Sequence, residues 1–502
     1  MEKQAFYGID LGTTYSCIAT IDSDENVTVL PNSLTGRLTM PSAVSFDDDG
    51  KVLVGEAAKK QLGNKPENTF VFIKREMSNP DFKREVLGKV YDPVQISSYI
   101  LKELVDSANQ KRKDEEGLDP ILDVVITVPA YFGNLERERT KEAGKLAGLN
   151  VIQVINEPTA AALSYGKRNK TDKKLLVYDL GGGTFDVSIM EVKNHIINTL
   201  VSHGDHRLGG ADWDRALVDF VLAKIGAKYD DLEPNEQGMM MLAAEDAKQL
   251  LTPQEKTTLQ FVYNGIQNVE ITREEFEAVT EDLLNRTMML VDETFDIYNK
   301  DAKTKLSEKD IDEVLLVGGS SRMPMVMKVV KEKFGENVKL IDPDLAVAKG
   351  AALTALQDET GSIKNGLMLG KDKGSRAYGM KAFDERDKEV VFTLIKRNDD
   401  LEIERSSKKD GLNFYTHEEG QSSLEFHFYE YESTQDRVEL SDATELEGRG
   451  GNISWGRPVP KGTPVDIIVR RDKSGTVRVF AECMGAKGEF ILVSAGVGMA
   501  SR

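Results

Sequence analysis

Cysteine, tryptophan and histidine are scarce in this chain of 502 residues, which holds 2 Cys, 2 Trp and 5 His. Cys17 and Cys483 stand at opposite ends without metal-ligand spacing, so neither a disulfide framework nor a cysteine zinc site is supported. Two reduced, packed thiols are the expectation. Positive charge is also in deficit: 65 Lys and Arg face 84 Asp and Glu, a formal charge of −19. That balance repels phosphate backbones and anionic lipid, so nucleic acid and membrane surfaces are not expected as general partners. No run of about 18 apolar residues occurs. The start MEKQAFYGID lacks the basic and then apolar regions of a signal peptide, which makes the cytoplasm the expected compartment. With 40% hydrophobic positions and only 15 prolines, the chain can bury more than one core, and its length suggests roughly three domains.

What the chain does have is one turn written twice. Phe6-Tyr7-Gly8-Ile9-Asp10-Leu11-Gly12-Thr13-Thr14-Tyr15 and Leu176-Val177-Tyr178-Asp179-Leu180-Gly181-Gly182-Gly183-Thr184-Phe185-Asp186 each read as an apolar strand, an acid and a Gly/Thr turn. Alternating apolar residues follow both (Cys17, Ala19, Ile21; Val187, Ile189), which predicts a hairpin returning along the first strand. Glycine lets backbone N–H groups close on an anion, and threonine adds hydroxyl donors. Two such turns would grip phosphates from both sides, with an aspartate at each strand end to hold magnesium or its waters. One copy alone reads as a plain turn; two with matching acids predict two lobes around a cleft. Neither a Walker loop nor a dinucleotide fingerprint fits, because no Gly-Lys-Ser/Thr follows and no helix opens at the glycines. A third glycine site, Val317-Gly318-Gly319-Ser320-Ser321-Arg322-Met323-Pro324, runs from an apolar strand into a helix expected near Pro324. Its bare turn suits a base or ribose, with Arg322 free to stack.

These residues resemble the heat shock protein 70 (DnaK-like) molecular chaperone family, within the actin-like ATPase fold. Further matches are Val124 to Phe132 (VVITVPAYF), Ile155 to Ala162 (INEPTAAA), Leu208-Gly209-Gly210-Ala211-Asp212, and Asp342-Pro343-Asp344. The similarity is dense over residues 4 to 357 and looser beyond. It implies an α/β actin-like (ribonuclease H-like duplicated) two-lobed ATPase domain over 1–360, a linker over 361–373, and a β-sandwich domain over 374–502. By the same resemblance, Gly12, Thr13, Thr14, Tyr15, Gly182, Gly183 and Thr184 clamp phosphate, while Asp10, Asp179 and Asp186 surround magnesium and potassium. Lys74 reaches the γ-phosphate and positions the attacking water, and Thr184 and Glu157 complete the catalytic set with Asp10 and Asp179. Glu157 also reads as a helix-entry acid beside Pro158. Glu245, Lys248 and Thr252 match ribose and base contacts on one face of a helix, and Gly318, Gly319, Ser320, Arg322 and Asp344 complete the nucleoside end. Gln249 stands where many members carry an arginine that stacks on adenine. Pro129 and Arg137 match residues linking nucleotide state to the substrate domain; read alone, they are a strand-end proline and a solvated helix arginine.

Behind the ATPase, Gly366-Leu367-Met368-Leu369-Gly370-Lys371-Asp372 takes the place of the family's aliphatic linker, with glycines on both sides and its acid displaced. Short alternating runs such as Val390 to Ile395 and Thr476 to Val479, separated by Gly, Asn and Asp, read as a β-sandwich. Met380, Phe383, Phe414, Leu424 and Phe426 either line a groove for an extended apolar peptide or form the sandwich core. His417 reads as a polar loop residue. No amphipathic helical segment follows, so a form without the family's helical lid is expected. The resemblance implies ATP/ADP, Mg2+ and K+ as cofactors, and unfolded or extended apolar peptides, a J-domain co-chaperone and a nucleotide exchange factor as partners. A nucleotide-switched scaffold with one dedicated partner is the alternative function. A small-molecule kinase is disfavoured by Lys74 and the attached β domain.

Overall fold

The computed structural model describes residues 6–492 apart from 23, 117–119, 167–170, 364–365, 412 and 447–449. Parts of the expected linker (364–365) and β domain (412, 447–449 and 493–502) therefore lie outside the described residues.

Both Gly/Thr turns join antiparallel strands, as their flanking alternation predicts: Phe6–Asp10 pairs with Tyr15–Ile21, and Lys173–Leu180 with Phe185–Lys193. Each hairpin sits in a six-stranded sheet. In the first, the path runs Asn150–Asn156, Asp123–Val128, Phe6–Asp10, Tyr15–Ile21, Val27–Leu30. The second runs Val338–Leu340, Glu313–Val317, Lys173–Leu180, Phe185–Lys193, Ile196–Asp205, and ends on Met368–Leu369. Numbered in chain order along these paths alone, the first five strands of each run fifth, fourth, first, second, third. The duplication written in the two turns is thus a duplication of topology. The central strands Asp123–Val128 and Lys173–Leu180 are buried over all but their first one or two residues because both faces are covered by other elements.

Each lobe has its own core, and a third cluster joins them. It draws Ala19 and Val125 from the first sheet and Val177 and Leu315 from the second onto the helix Ala346–Thr360. That helix buries Ala348, Ala351, Ala352 and Ala355, and its small side chains let it lie against backbone. Gly350 packs so closely on the Ala160 carbonyl of the helix Glu157–Gly166 that a Cβ would overlap it, and Gly8 meets Ala351 and Ala352 in the same way. Gly350→Ala is expected to cost about 3 kcal/mol, because the overlapped atom is backbone and cannot rotate away; urea unfolding monitored by circular dichroism measures it.

From Ala377 onward, two five-stranded sheets and one further strand pair form an antiparallel β unit. Along Val477–Cys483, Val477, Val479, Ala481 and Cys483 point inward while Arg478 and Glu482 face out, the two-residue period of a half-buried strand. Cys17 and Cys483 are both buried and unpaired thiols. The β unit rests on the first lobe: Tyr378 Oη accepts the Asn134 N–H at 2.8 Å, and the Val477 N–H donates to Asn134 Oδ1 at 3.0 Å. Met368–Leu369 joins the second sheet parallel to Ile196–Asp205. Asp372 then accepts from Asn156 Nδ2 at 2.9 Å and Thr159 Oγ1 at 3.0 Å. Among the described residues, no helix is long and apolar enough to cross a membrane.

Candidate active site

The two Gly/Thr turns come from sheets far apart in sequence, yet they interlock. A Cβ on Gly182 would overlap Thr14, and one on Gly183 would overlap Thr13. The first loop is tied by the Ser42 side chain, whose Oγ donates to the Gly12 carbonyl at 2.7 Å, and the second by its own backbone, the Gly181 N–H donating to the Thr184 carbonyl at 3.0 Å. A cleft of about 480 Å³ opens beside them. It brings together Gly12, Thr13, Thr14, Tyr15, Gly182 and Thr184 with Lys74, Glu157, Asp10 and Asp179. From the second lobe it adds Glu245, Lys248, Gln249, Thr252, Gly318, Gly319, Ser320, Arg322 and Asp344. Gly183 and Asp186 stand behind this lining: the Gly183 carbonyl accepts from Arg75 Nε at 2.7 Å, and Asp186 accepts the Ala130 N–H at 3.0 Å. Thr252 falls just past the helix Pro234–Leu251 rather than within it.

Lys74 and Glu157 form a buried ion pair, Lys74 on the short turn Ile73–Glu76 and Glu157 opening the helix Glu157–Gly166. Around it the carboxyls hold their protons more tightly than usual. Burial and the neighbouring Glu157 push Asp10 up to about 7 against the pull of Lys74. Asp179 rises well above the ordinary carboxyl range through burial and then the charges of Glu157 and Asp10, and Asp186 through burial, Glu157 and Asp179. Such acids gain from a cation in their midst. Among the described residues, no three His, Cys, Asp or Glu side chains gather closely enough to hold a metal ion. The Thr14 hydroxyl, buried with no protein partner, is a free donor at the same place. Gly182→Ala is expected to weaken ADP binding at least about tenfold by forcing the turns apart, as read by titration calorimetry.

Pro129 and Arg137 lie behind the cleft. Pro129 follows the strand Asp123–Val128, next to the Ala130 N–H that reaches Asp186, and its carbonyl accepts the Phe132 N–H at 3.1 Å. Arg137 is not a solvated helix residue: it is 2% exposed. It donates to the Phe132 carbonyl at 3.0 Å, to Asn156 Oδ1, and to the Ser474 carbonyl of the β unit at 3.5 Å. The five apolar residues considered for a peptide groove do not share one environment. Met380 and Phe426 are buried in the β core, Phe414 and Leu424 are half-buried against it, and Phe383 is 41% exposed. His417 lies in the loop after Phe414–Tyr415, where its ring stacks on Phe383 with centroids 3.7 Å apart.

Sequence reading missed the pairs that tie the lobes across the cleft. Lys59 meets Glu245 at 2.7 Å and Arg75 meets Asp212 at 2.5 Å; within the second lobe, Lys248 meets Asp214 at 2.7 Å. Arg75 adjoins Lys74, Asp212 closes the Leu208-Gly209-Gly210-Ala211-Asp212 run, and Glu245 and Lys248 share a helix face, whereas Lys59 and Asp214 carried no local signal.

A family model described as Hsp70 protein matches residues 6–84 and 76–492. Chaperone protein DnaK of Thermosipho africanus is 38% identical over 514 residues, covering 99% of this chain and 80% of its own length. The protein of the same name from Thermotoga neapolitana is 38% identical over 516 residues, covering 99% of this chain and 81% of its own. That from Thermotoga maritima is 37% identical over 514 residues, with 99% and 81% covered. Similarity that spans both glycine turns, the Lys74–Glu157 pair and the β unit alike places this chain in the Hsp70 family.

Proposed function

We propose that the cleft binds ATP between the two Gly/Thr turns and hydrolyses it at the Lys74–Glu157 pair, and that the β unit holds extended apolar peptides under control of the bound nucleotide. As a member of its family the chain is an ATP-dependent chaperone and an ATPase, forming ADP and phosphate. The observation that carries the site reading is the interlocking of the two turns directly beside a buried ammonium and three buried carboxyls whose proton affinity is raised. In that reading, Thr13, Thr14, Gly182, Gly183 and Thr184 hold the phosphate chain through N–H and hydroxyl donors. Lys74 faces the terminal phosphate, where an ammonium offsets charge developing in an in-line displacement. Glu157, held by Lys74, orients the attacking water. Asp10, Asp179 and Asp186 would hold magnesium through its waters; when bound, the ion neutralises charge between the outer phosphates. Potassium fits the same carboxyl-rich wall. Gly318, Gly319, Arg322 and Asp344 would take the nucleoside.

The two similar sheets support reading residues 1–360 as the actin-like lobes, 361–373 as the linker and 374–502 as a β-sandwich. Phe383, Phe414 and Leu424, the partly exposed members of their set, are the proposed peptide contacts. Cytoplasmic location, a J-domain co-chaperone and a nucleotide exchange factor complete the reading. Fluorescence anisotropy of a labelled apolar peptide, with ADP and then with ATP, magnesium and potassium, tests it. Weaker binding and faster release in ATP are expected. No peptide binding in either state, alongside intact hydrolysis, would favour a scaffold for one dedicated partner.

The seam between the lobes and the β unit adds a pH dependence. Burial under the β unit and the charge of Glu430 push Glu136 from the ordinary 4.5 to about 7. The docked form therefore binds a proton more tightly than a separated one, so docking weakens as pH rises from about 4.5 to about 7 and is flat above. Energy transfer between dyes on lobe and β unit is expected to fall over that range, and Glu136→Gln to flatten the curve.

A further inference from the structure

At the mouth of the cleft, two helices from opposite lobes meet. The helix Glu56–Lys60 presents Lys59 to Glu245 on the helix Pro234–Leu251 at 2.7 Å. Three residues before Lys59, Glu56 takes Arg37 at 2.6 Å. Four residues after Glu245, the Gln249 amide donates back to it at 3.4 Å. Residues three or four apart on a helix are surface neighbours. Arg37 and Gln249 therefore flank the same interlobe pair from opposite banks, and both line the cleft.

A closed turn holds Arg37 in place. The Asn32 N–H donates to the Arg37 carbonyl at 2.8 Å, while Asn32 Oδ1 accepts from the N–H groups of Leu34 at 3.1 Å and Thr35 at 3.0 Å. The Ser33 N–H donates to Ser107 Oγ at 2.6 Å and ties the turn to the helix Pro93–Glu116. The deeper cations of the cleft are committed elsewhere: Lys74 to Glu157, and Lys248 to Asp214 and to the Gly210 carbonyl at 2.8 Å. Arg37, though paired with Glu56, keeps 66% of its side chain exposed at the rim, more than Arg322, which pairs with Asp344 and keeps 47%. With the phosphate turns at the floor, the rim is where the nucleoside end of a nucleotide comes to lie. A planar guanidinium there lies flat on a purine face; Gln249 opposite offers no cation.

We infer that Arg37 is a nucleoside-binding residue, covering the base from the first lobe and slowing nucleotide release. This rests on the nucleotide reading of the cleft. Calorimetric affinities for ADP and for pyrophosphate, and stopped-flow release of a fluorescent ADP analogue, test it in wild type, Arg37→Ala, Arg37→Lys and Glu56→Gln. Arg37→Ala is expected to weaken ADP and speed its release about tenfold, with pyrophosphate unchanged and lysine unable to restore the loss. Unchanged ADP release in Arg37→Ala would overturn the inference. An equal loss of pyrophosphate, or full recovery with lysine, would also do so, since Arg37 would then act as a distant charge. Equal speeding by Glu56→Gln would reassign the effect to the mouth's ion pairs and overturn it too. Wild-type protein that binds neither ADP nor pyrophosphate would refute the nucleotide reading itself.

Discussion

Alanine in place of Lys74 is expected to lower ATP turnover at least about a hundredfold while leaving nucleotide affinity within about tenfold. Lys74 is 5% exposed and pairs with Glu157 at the point where Asp10 and Asp179 converge. Its charge pulls against the burial and mutual repulsion that raise both aspartates. Without it, Glu157 is left unpaired and the displacement loses its nearest ammonium, whereas the backbone and hydroxyl donors of the two turns still hold phosphate. Single-turnover hydrolysis measures the first effect and calorimetry with ADP the second. Turnover within about fivefold of wild type would remove Lys74 from the proposed chemistry.

Arg137→Ala is expected to abolish nucleotide-dependent peptide release and to cost about 3 kcal/mol of stability. The guanidinium is a junction: Phe132 belongs to the turn after the first-lobe strand, Asn156 is also held by Asp372 of the proposed linker, and Ser474 belongs to the β unit. Burial lowers the affinity of Arg137 for its proton while Asp372 raises it, as for a cation kept inside only by its partners. Removal strands acceptors on all three elements at once. Peptide anisotropy with and without ATP, together with thermal unfolding, separates lost coupling from lost fold. Unaltered ATP-stimulated release with a lowered melting temperature would make Arg137 purely structural.

The two turns were legible because each is a contiguous strand, acid and Gly/Thr run whose geometry is local. For the same reason, the helix from Pro324 and the one opened by Glu157 stand where sequence puts them. Contacts between distant segments were not legible. Lys59 and Glu245 lie 186 positions apart, and Arg75 and Asp212 lie 137 apart; nothing in either neighbourhood announces the other. Lys74 and Glu157, 83 apart, were joined beforehand only by family resemblance. Arg137 sits in the helix Asn134–Leu146, so polar that its periodicity points to solvent. It is buried because Ser474, 337 positions on, closes over it. Met380 and Phe426 were equally at home in a groove or a core, since an inward-facing apolar residue satisfies the same two-residue period in both.

By itself, the sequence determined the duplicated hairpins, their acids, the β-rich character of the last quarter and the family. Those features depend on short-range backbone geometry and on dense local motifs. Tertiary structure alone decided which charges meet across the cleft, that Met368 and Leu369 extend the second sheet, and that Arg137 lies inside the seam. A side chain's burial and partners are set by whichever distant segment packs over it, and the local pattern carries no record of that segment.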